Sequence, residues 1–178
     1  DPAFEVTQGT IALWLRADDL SDDGAIVTKD QRKSGEGGHF RLVQLEDGKL
    51  LLRFAPGDGG ANRAWTTMVP VLEEGVWAHL AVSFTEDGVT VRKDGMAIPD
   101  ELWTPDEGDV ASPGVYAEAY LLQNAEPWIF GADQRRTELN GTAQAFATDD
   151  GRLDAPFTGA IAEFAVWGGY SKEDALTG

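Results

Sequence analysis

The chain has 178 residues, 31 Asp plus Glu against 14 Lys plus Arg, and no cysteine. A net charge of −17 repels nucleic-acid phosphates and anionic membranes, so neither is an expected partner. Disulfides and thiolate metal sites are excluded, and no apolar run approaches the roughly 20 residues of a membrane-spanning helix.

In chain order the text reads as strand after strand. Residues 4–7 and 10–17 are the first candidates; in the latter Ile11, Leu13 and Leu15 share one face, and Ala12 and Trp14 the other. A strand apolar on both faces belongs in the middle of a layered structure. The run 18–24 is a loop by its turn residues and charge, 25–29 a short strand, and 30–38 a polar loop. Residues 39–46 and 50–55 pair around Asp47-Gly48, a hairpin by its turn chemistry. A Gly-rich loop, 56–62, precedes a strand over 65–71.

Residues 75–98 carry the clearest alternation. Val76, Ala78, Leu80, Val82 and Phe84 face one way, and Trp77, His79, Ala81 and Ser83 the other, a period of two. Glu86-Asp87-Gly88 and Asp94-Gly95 supply turns, which predicts a three-stranded meander. Beyond Pro99, residues 100–113 read as an acidic surface excursion, and 116–122 as either strand or helical turn. Residues 128–132 read as a strand, 133–153 as a second polar excursion, and 157–167 as the last long strand. Ser171-Lys172-Glu173-Asp174 suits an N-cap with an acidic first turn, so a short C-terminal helix is expected there. Many short strands, little helix and Gly/Asp-rich loops predict an all-β, two-sheet antiparallel sandwich. The abrupt start at Asp1-Pro2, and a stop where a helix begins, give the expectation of one unit, 1–178, cut from a larger multidomain protein with flanking domains.

Trp77-Ala78-His79-Leu80-Ala81-Val82-Ser83-Phe84, with Asp94-Gly95 following, resembles the signature of bacterial laminin-G-like, concanavalin A-like jelly-roll domains. Thr10 to Leu15 and Phe157 to Phe164, with Val166-Trp167, resemble that family's first and last strands. The resemblance implies a jelly roll from about Phe4 to Leu176, in a family that binds sugars, proteins and lipids alike. It also places His79 in the packed interior, as a structural histidine rather than an acid or base.

Acidity on this scale has two readings, a solvated surface or carboxylates that hold Ca²⁺, a cation that takes oxygen ligands. Pentraxins, relatives of the same jelly roll, coordinate Ca²⁺ from loops on one sheet. Carried over, their positions fall at Asp30, at Asp133-Gln134 after the 128–132 strand, and at Asp154. Arg135 and Arg136 stand where pentraxins have a denser acidic cluster, so the resemblance implies one ion rather than two. Asp58 and Asp149-Asp150-Gly151 are secondary candidates.

A sugar site needs aromatic platforms at the rim, because pyranose faces stack on indole and phenol rings. Trp65, Trp103, Tyr116, Tyr120 and Trp128 are the aromatics nearest loops, with covering the sandwich edge as the alternative for Trp103 and Trp128. Trp14, Trp77 and Trp167 lie within apolar strands and are assigned to packing. His39 begins a strand after two glycines and is expected to be exposed.

The fold also hosts glucanases and polysaccharide lyases. Retaining glucanases need paired carboxylates about 5–5.5 Å apart; no E-x-D-x-x-E occurs on a strand, and Glu163 stands alone. Arg136-Thr137-Glu138-Leu139 echoes an alginate-lyase motif, but in a loop and without its partners. The resulting expectation is a non-catalytic recognition or adhesion module, extracellular or on the cell surface, for a glycan or surface protein, with Ca²⁺ assistance. A polysaccharide-active enzyme and a structural spacer are the alternatives.

Overall fold

The computed structural model describes residues 6–29, 38–56, 62–85, 87–116, 119–122, 127–134, 138–139, 142–143, 153–154 and 156–168. In chain order the strands are β1 (Gly9–Ala17), β2 (Gly24–Lys29), β3 (His39–Gln44), β4 (Leu50–Ala55), β5 (Arg63–Thr67), β6 (Trp77–Thr85), β7 (Gly88–Lys93) and β8 (Met96–Ala97). They continue with β9 (Trp103–Glu107), β10 (Trp128–Phe130), β11 (Asp133–Gln134), β12 (Glu138–Leu139), β13 (Thr142–Ala143), β14 (Leu153–Asp154) and β15 (Gly159–Gly168). A five-stranded sheet has the order β15-β1-β6-β7-β8, a six-stranded sheet the order β10-β2-β3-β4-β5-β9, and β11–β14 and β12–β13 are small pairs. All the strand pairings are antiparallel. This is the expected two-sheet jelly-roll sandwich.

Alternation decides which side chains meet between the sheets. Ile11, Leu13 and Leu15 of β1, Leu80, Val82 and Phe84 of β6, and Val89 and Val91 of β7 are all buried. Opposite them lie Phe40 and Leu42 of β3, Leu50, Leu52 and Phe54 of β4, and Trp65 of β5, none of which is exposed. The Phe84 ring links the layers, 6.2 Å from Phe40 and 5.5 Å from Phe54, while those two meet edge-on at 5.1 Å. Burying each such side chain contributes about 1.5–3 kcal/mol.

The turns follow their residues. Asp47 and Gly48 link β3 to β4 with φ of 63° and 74°, and Asp94 and Gly95 link β7 to β8 with φ of 51° and 81°. Left-handed backbone of this kind is open to Gly and tolerated by Asp.

Several expectations need correction. The 100–113 excursion contains an edge strand, β9, which pairs with β5 at Thr67↔Trp103 and Trp65↔Pro105. Proline is tolerated there because an edge strand has an unpaired side. Strand β5 begins and ends earlier than expected, at Arg63 and Thr67. Residues 133–153 are not wholly irregular, since β11 pairs with β14 and β12 with β13. The described part of 116–122 is neither strand nor helix; a 3₁₀ turn, Pro113–Val115, precedes it. The C-terminal helix expected at 171–174 lies outside the described residues.

Candidate functional site

Because Leu80, Val82 and Phe84 take the inner face of β6, Trp77, His79, Ala81 and Ser83 stand on the outer face. Strand register assembles the rest. Thr10 stands opposite Ser83 on one side and Trp167 on the other, and their hydroxyls, Thr10 Oγ1 and Ser83 Oγ, are 3.0 Å apart. The next rung is Ala165–Ala12–Ala81–Arg92, then Ala162–Trp14–His79, then Ala160–Arg16–Trp77. The outer face is therefore a floor of alanines with indoles rising from it. Trp14 is 39% exposed, Trp77 42% and Trp167 53%.

Local contacts hold this group in place. The Trp14 and His79 rings are 5.3 Å apart at 55°. The Arg16 guanidinium lies 5.6 Å from the Trp77 ring centre and is itself held in a fork: Nε donates to Asp18 Oδ1 at 2.7 Å and Nη2 to Oδ2 at 3.1 Å. That fork holds the Asp18 carboxyl below its ordinary value and raises Arg16. Asp94 fixes the end of β6, its Oδ1 accepting the His79 N–H at 2.9 Å while its own N–H donates to the His79 carbonyl at 2.8 Å.

The rim aromatics fare differently. Trp65 is fully buried, its Nε1 donating to the Val110 carbonyl at 2.9 Å, and Tyr116 packs on it at 5.4 Å. Trp103 is buried at the start of β9. These three are core, because β9 pairs along β5 and Val110 and Tyr116 cover Trp65, and none offers a ring face to a ligand. Tyr120 is half-buried. Trp128 is half-buried on edge strand β10, 5.6 Å from Phe40, with Lys29 Nζ 5.4 Å from its ring, so it covers the sandwich edge. Conversely, Trp14, Trp77 and Trp167, expected in packing, are the exposed indoles, and His79 is on the outer face rather than in the interior. His39 is half-buried, not exposed.

Of the calcium candidates, Asp133 and Asp154 are direct cross-strand partners on β11 and β14. The Asp133 carboxylate, however, is 2.6 Å from Arg41 Nη2. Asp30, Asp58, 149–151 and the side chains of Gln134 and Asp154 lie outside the described residues. Among the described residues no three His, Cys, Asp or Glu side chains converge, so by themselves they do not make up the six to eight oxygens a Ca²⁺ ion takes. Glu163 sits exposed at φ 49° in β15.

Residues 1–106, more than half of the chain, match the family description "Concanavalin A-like lectin/glucanases superfamily". The chain belongs to this superfamily. No curated protein sequence matches it. Among solved structures, similar members of the fold include the native heptameric SAP-like pentraxin of Limulus polyphemus, with TM-score 0.57 and 14% identity over 97% of this chain and 69% of that one. The Ruminococcus gnavus IT-sialidase CBM40 bound to α2,3-sialyllactose gives 0.54 and 14%, over 96% and 81%. Domains LG4-5 of the mouse laminin α1 chain give 0.53 and 16%, over 90% and 36%. At these identities the likeness is one of fold.

A superfamily fold alone does not locate a site. In β6 the sequence separates two faces, Ala, Leu, Val and Phe on one and Trp and His with Ala and Ser on the other, and the packing of the second sheet decides which is exposed.

Proposed function

We propose that this chain is a non-catalytic recognition module, extracellular or on the cell surface, that binds a glycan through the outer face of its five-stranded sheet. The observation that carries the reading is the pair of half-exposed indoles, Trp14 and Trp77, standing with His79 and Arg16 on an alanine floor. Indole faces stack on pyranose rings, the alanines leave them room, and His79, Arg16 and Asp18 offer hydrogen-bonding groups at the border. Membership of a lectin and glucanase superfamily, and the likeness in fold to a carbohydrate-binding module solved with sialyllactose, support the same reading. A surface protein is the other partner such a face would suit.

Calcium assistance is a subsidiary proposal. An ion at Asp133 and Asp154 would draw further oxygen ligands from Asp30 and Gln134, and it would compete with Arg41 for the Asp133 carboxylate.

The test is a glycan array followed by calorimetry on the hits. Binding is expected, with Trp14→Ala and Trp77→Ala each weakening it at least tenfold and no release of reducing ends. Binding indifferent to both substitutions would refute the assignment of this face.

A further inference from the structure

The outer face of the six-stranded sheet carries a different arrangement. Phe40, Leu42, Leu52 and Phe54 point into the core, so Arg41 of β3 and Arg53 of β4 point out. The two arginines are direct cross-strand partners, which puts their Cβ atoms about 4.5–5.5 Å apart. Like charges directly opposite one another are unfavourable, and in a chain of net charge −17 with 14 basic residues such a pairing is conspicuous.

Each guanidinium is paired with one carboxylate. Arg41 Nη2 is 2.6 Å from Asp133 Oδ2, while Arg41 Nε is buried with no hydrogen-bond partner. Arg53 Nε donates to Glu107 Oε2 at 3.0 Å, and Asn62 Nδ2 holds the other oxygen, Oε1, at 3.3 Å. Register places Thr28 beside Arg41 and Ala64 beside Arg53, with Glu107 beyond Ala64. Thr28 Oγ1 donates to the Ala132 carbonyl, next to Asp133. The two guanidiniums thus lie between two carboxylates, Asp133 beside Arg41 and Glu107 beside Arg53. The two side chains are 29% and 28% exposed, enough to reach a ligand.

We propose that Arg41 and Arg53 form a binding site for a single acidic group, a carboxylate or sulfate carried by a saccharide. Two planar forks side by side fit the two or three oxygens of such a group. The flanking Asp133 and Glu107 and the net charge of the chain repel polyanions, so the ligand bears isolated charges, not a dense run of them. Bound there, the acidic group relieves the repulsion between the guanidiniums. The site lies on the opposite sheet from Trp14 and Trp77 and does not depend on them.

The experiment is calorimetric titration of the whole chain with glucuronic acid, glucose 6-sulfate and glucose. At least one of the two acidic sugars should bind tenfold or more tighter than glucose, and which one does identifies the acidic group. Arg41→Ala and Arg53→Ala should each weaken that binding at least tenfold, and Arg53→Lys less, because a point charge replaces a fork. Glu107→Gln frees Arg53 and should tighten binding severalfold, a gain that misfolding cannot imitate. Trp14→Ala should leave acidic-sugar binding unchanged. Equal binding of all three sugars, no gain in Glu107→Gln, or loss in Trp14→Ala without loss in Arg41→Ala would overturn the proposal.

Discussion

Trp65 and Trp77 are the same side chain given opposite tasks by one difference, the face of the strand each occupies. Trp65→Ala removes a fully buried indole and its hydrogen bond to Val110, and is expected to cost about 3–5 kcal/mol. Trp77→Ala, at 42% exposure, should cost about 1 kcal/mol or less while weakening glycan binding. Urea denaturation of both variants checks this; equal losses would mean that Trp77 is a core residue. The Arg16–Asp18 fork makes a separate prediction. Because Asp18 is held below its ordinary value by the hydrogen bond from Arg16, its contribution is present above the unfolded carboxylate value, about 3.9, and is lost as pH falls through the lower folded value. Asp18→Asn should flatten that part of the acid limb, lying slightly below the parent in melting temperature at neutral pH and converging with it at low pH. The sequence shows that Trp77 and His79 share a face, but not whether that face is inside or out. Both faces of β6 hold apolar residues, and only the stacking of the second sheet against Leu80 and Phe84 decides between them.

At the scale of elements, the turns were the most legible part of the chain. Asp47-Gly48 and Asp94-Gly95 occupy the left-handed backbone their chemistry favours. They differ in surroundings: a Cβ on Gly48 would lie 2.4 Å from the Leu72 carbonyl oxygen, whereas one on Gly95 would meet nothing within 4 Å. Gly95→Ala should therefore cost about 1 kcal/mol, the conformational part alone. Gly48→Ala should cost clearly more, since the Leu72 backbone must also move. Thermal melts of the two variants test the ranking, and a reversed order would contradict it. Strand β9 was not legible because Thr104-Pro105-Asp106-Glu107 is acidic and proline-interrupted, a composition that reads as loop unless an edge position is known in advance. The loop aromatics misled for a related reason: β9 turns Trp103 inward, and the chain around Val110 and Tyr116 closes over Trp65, so nearness to loops in sequence did not mean exposure.

For the whole molecule, the two sheets meet through Phe40, Phe54 and Phe84 and turn two chemically different outer faces to solvent. One carries indoles on alanine; the other carries opposed arginines bounded by acids. The clearest periodicity in the sequence was enough to predict the sandwich, while the faces required register, which no single strand encodes. Calcium is tested at this scale as well. If an ion binds at Asp133 and Asp154, millimolar Ca²⁺ should raise the melting temperature and EDTA lower it, because a ligand that binds only the folded chain stabilises it. A melting temperature indifferent to both removes the metal. The most direct test of the account is to measure glycan binding by the intact chain beside Trp14→Ala/Trp77→Ala and Trp103→Ala/Trp128→Ala double variants. The account predicts that the first pair abolishes binding with the fold retained, while the second lowers stability and leaves the affinity of the folded fraction unchanged. Full binding by the Trp14/Trp77 variant would contradict it.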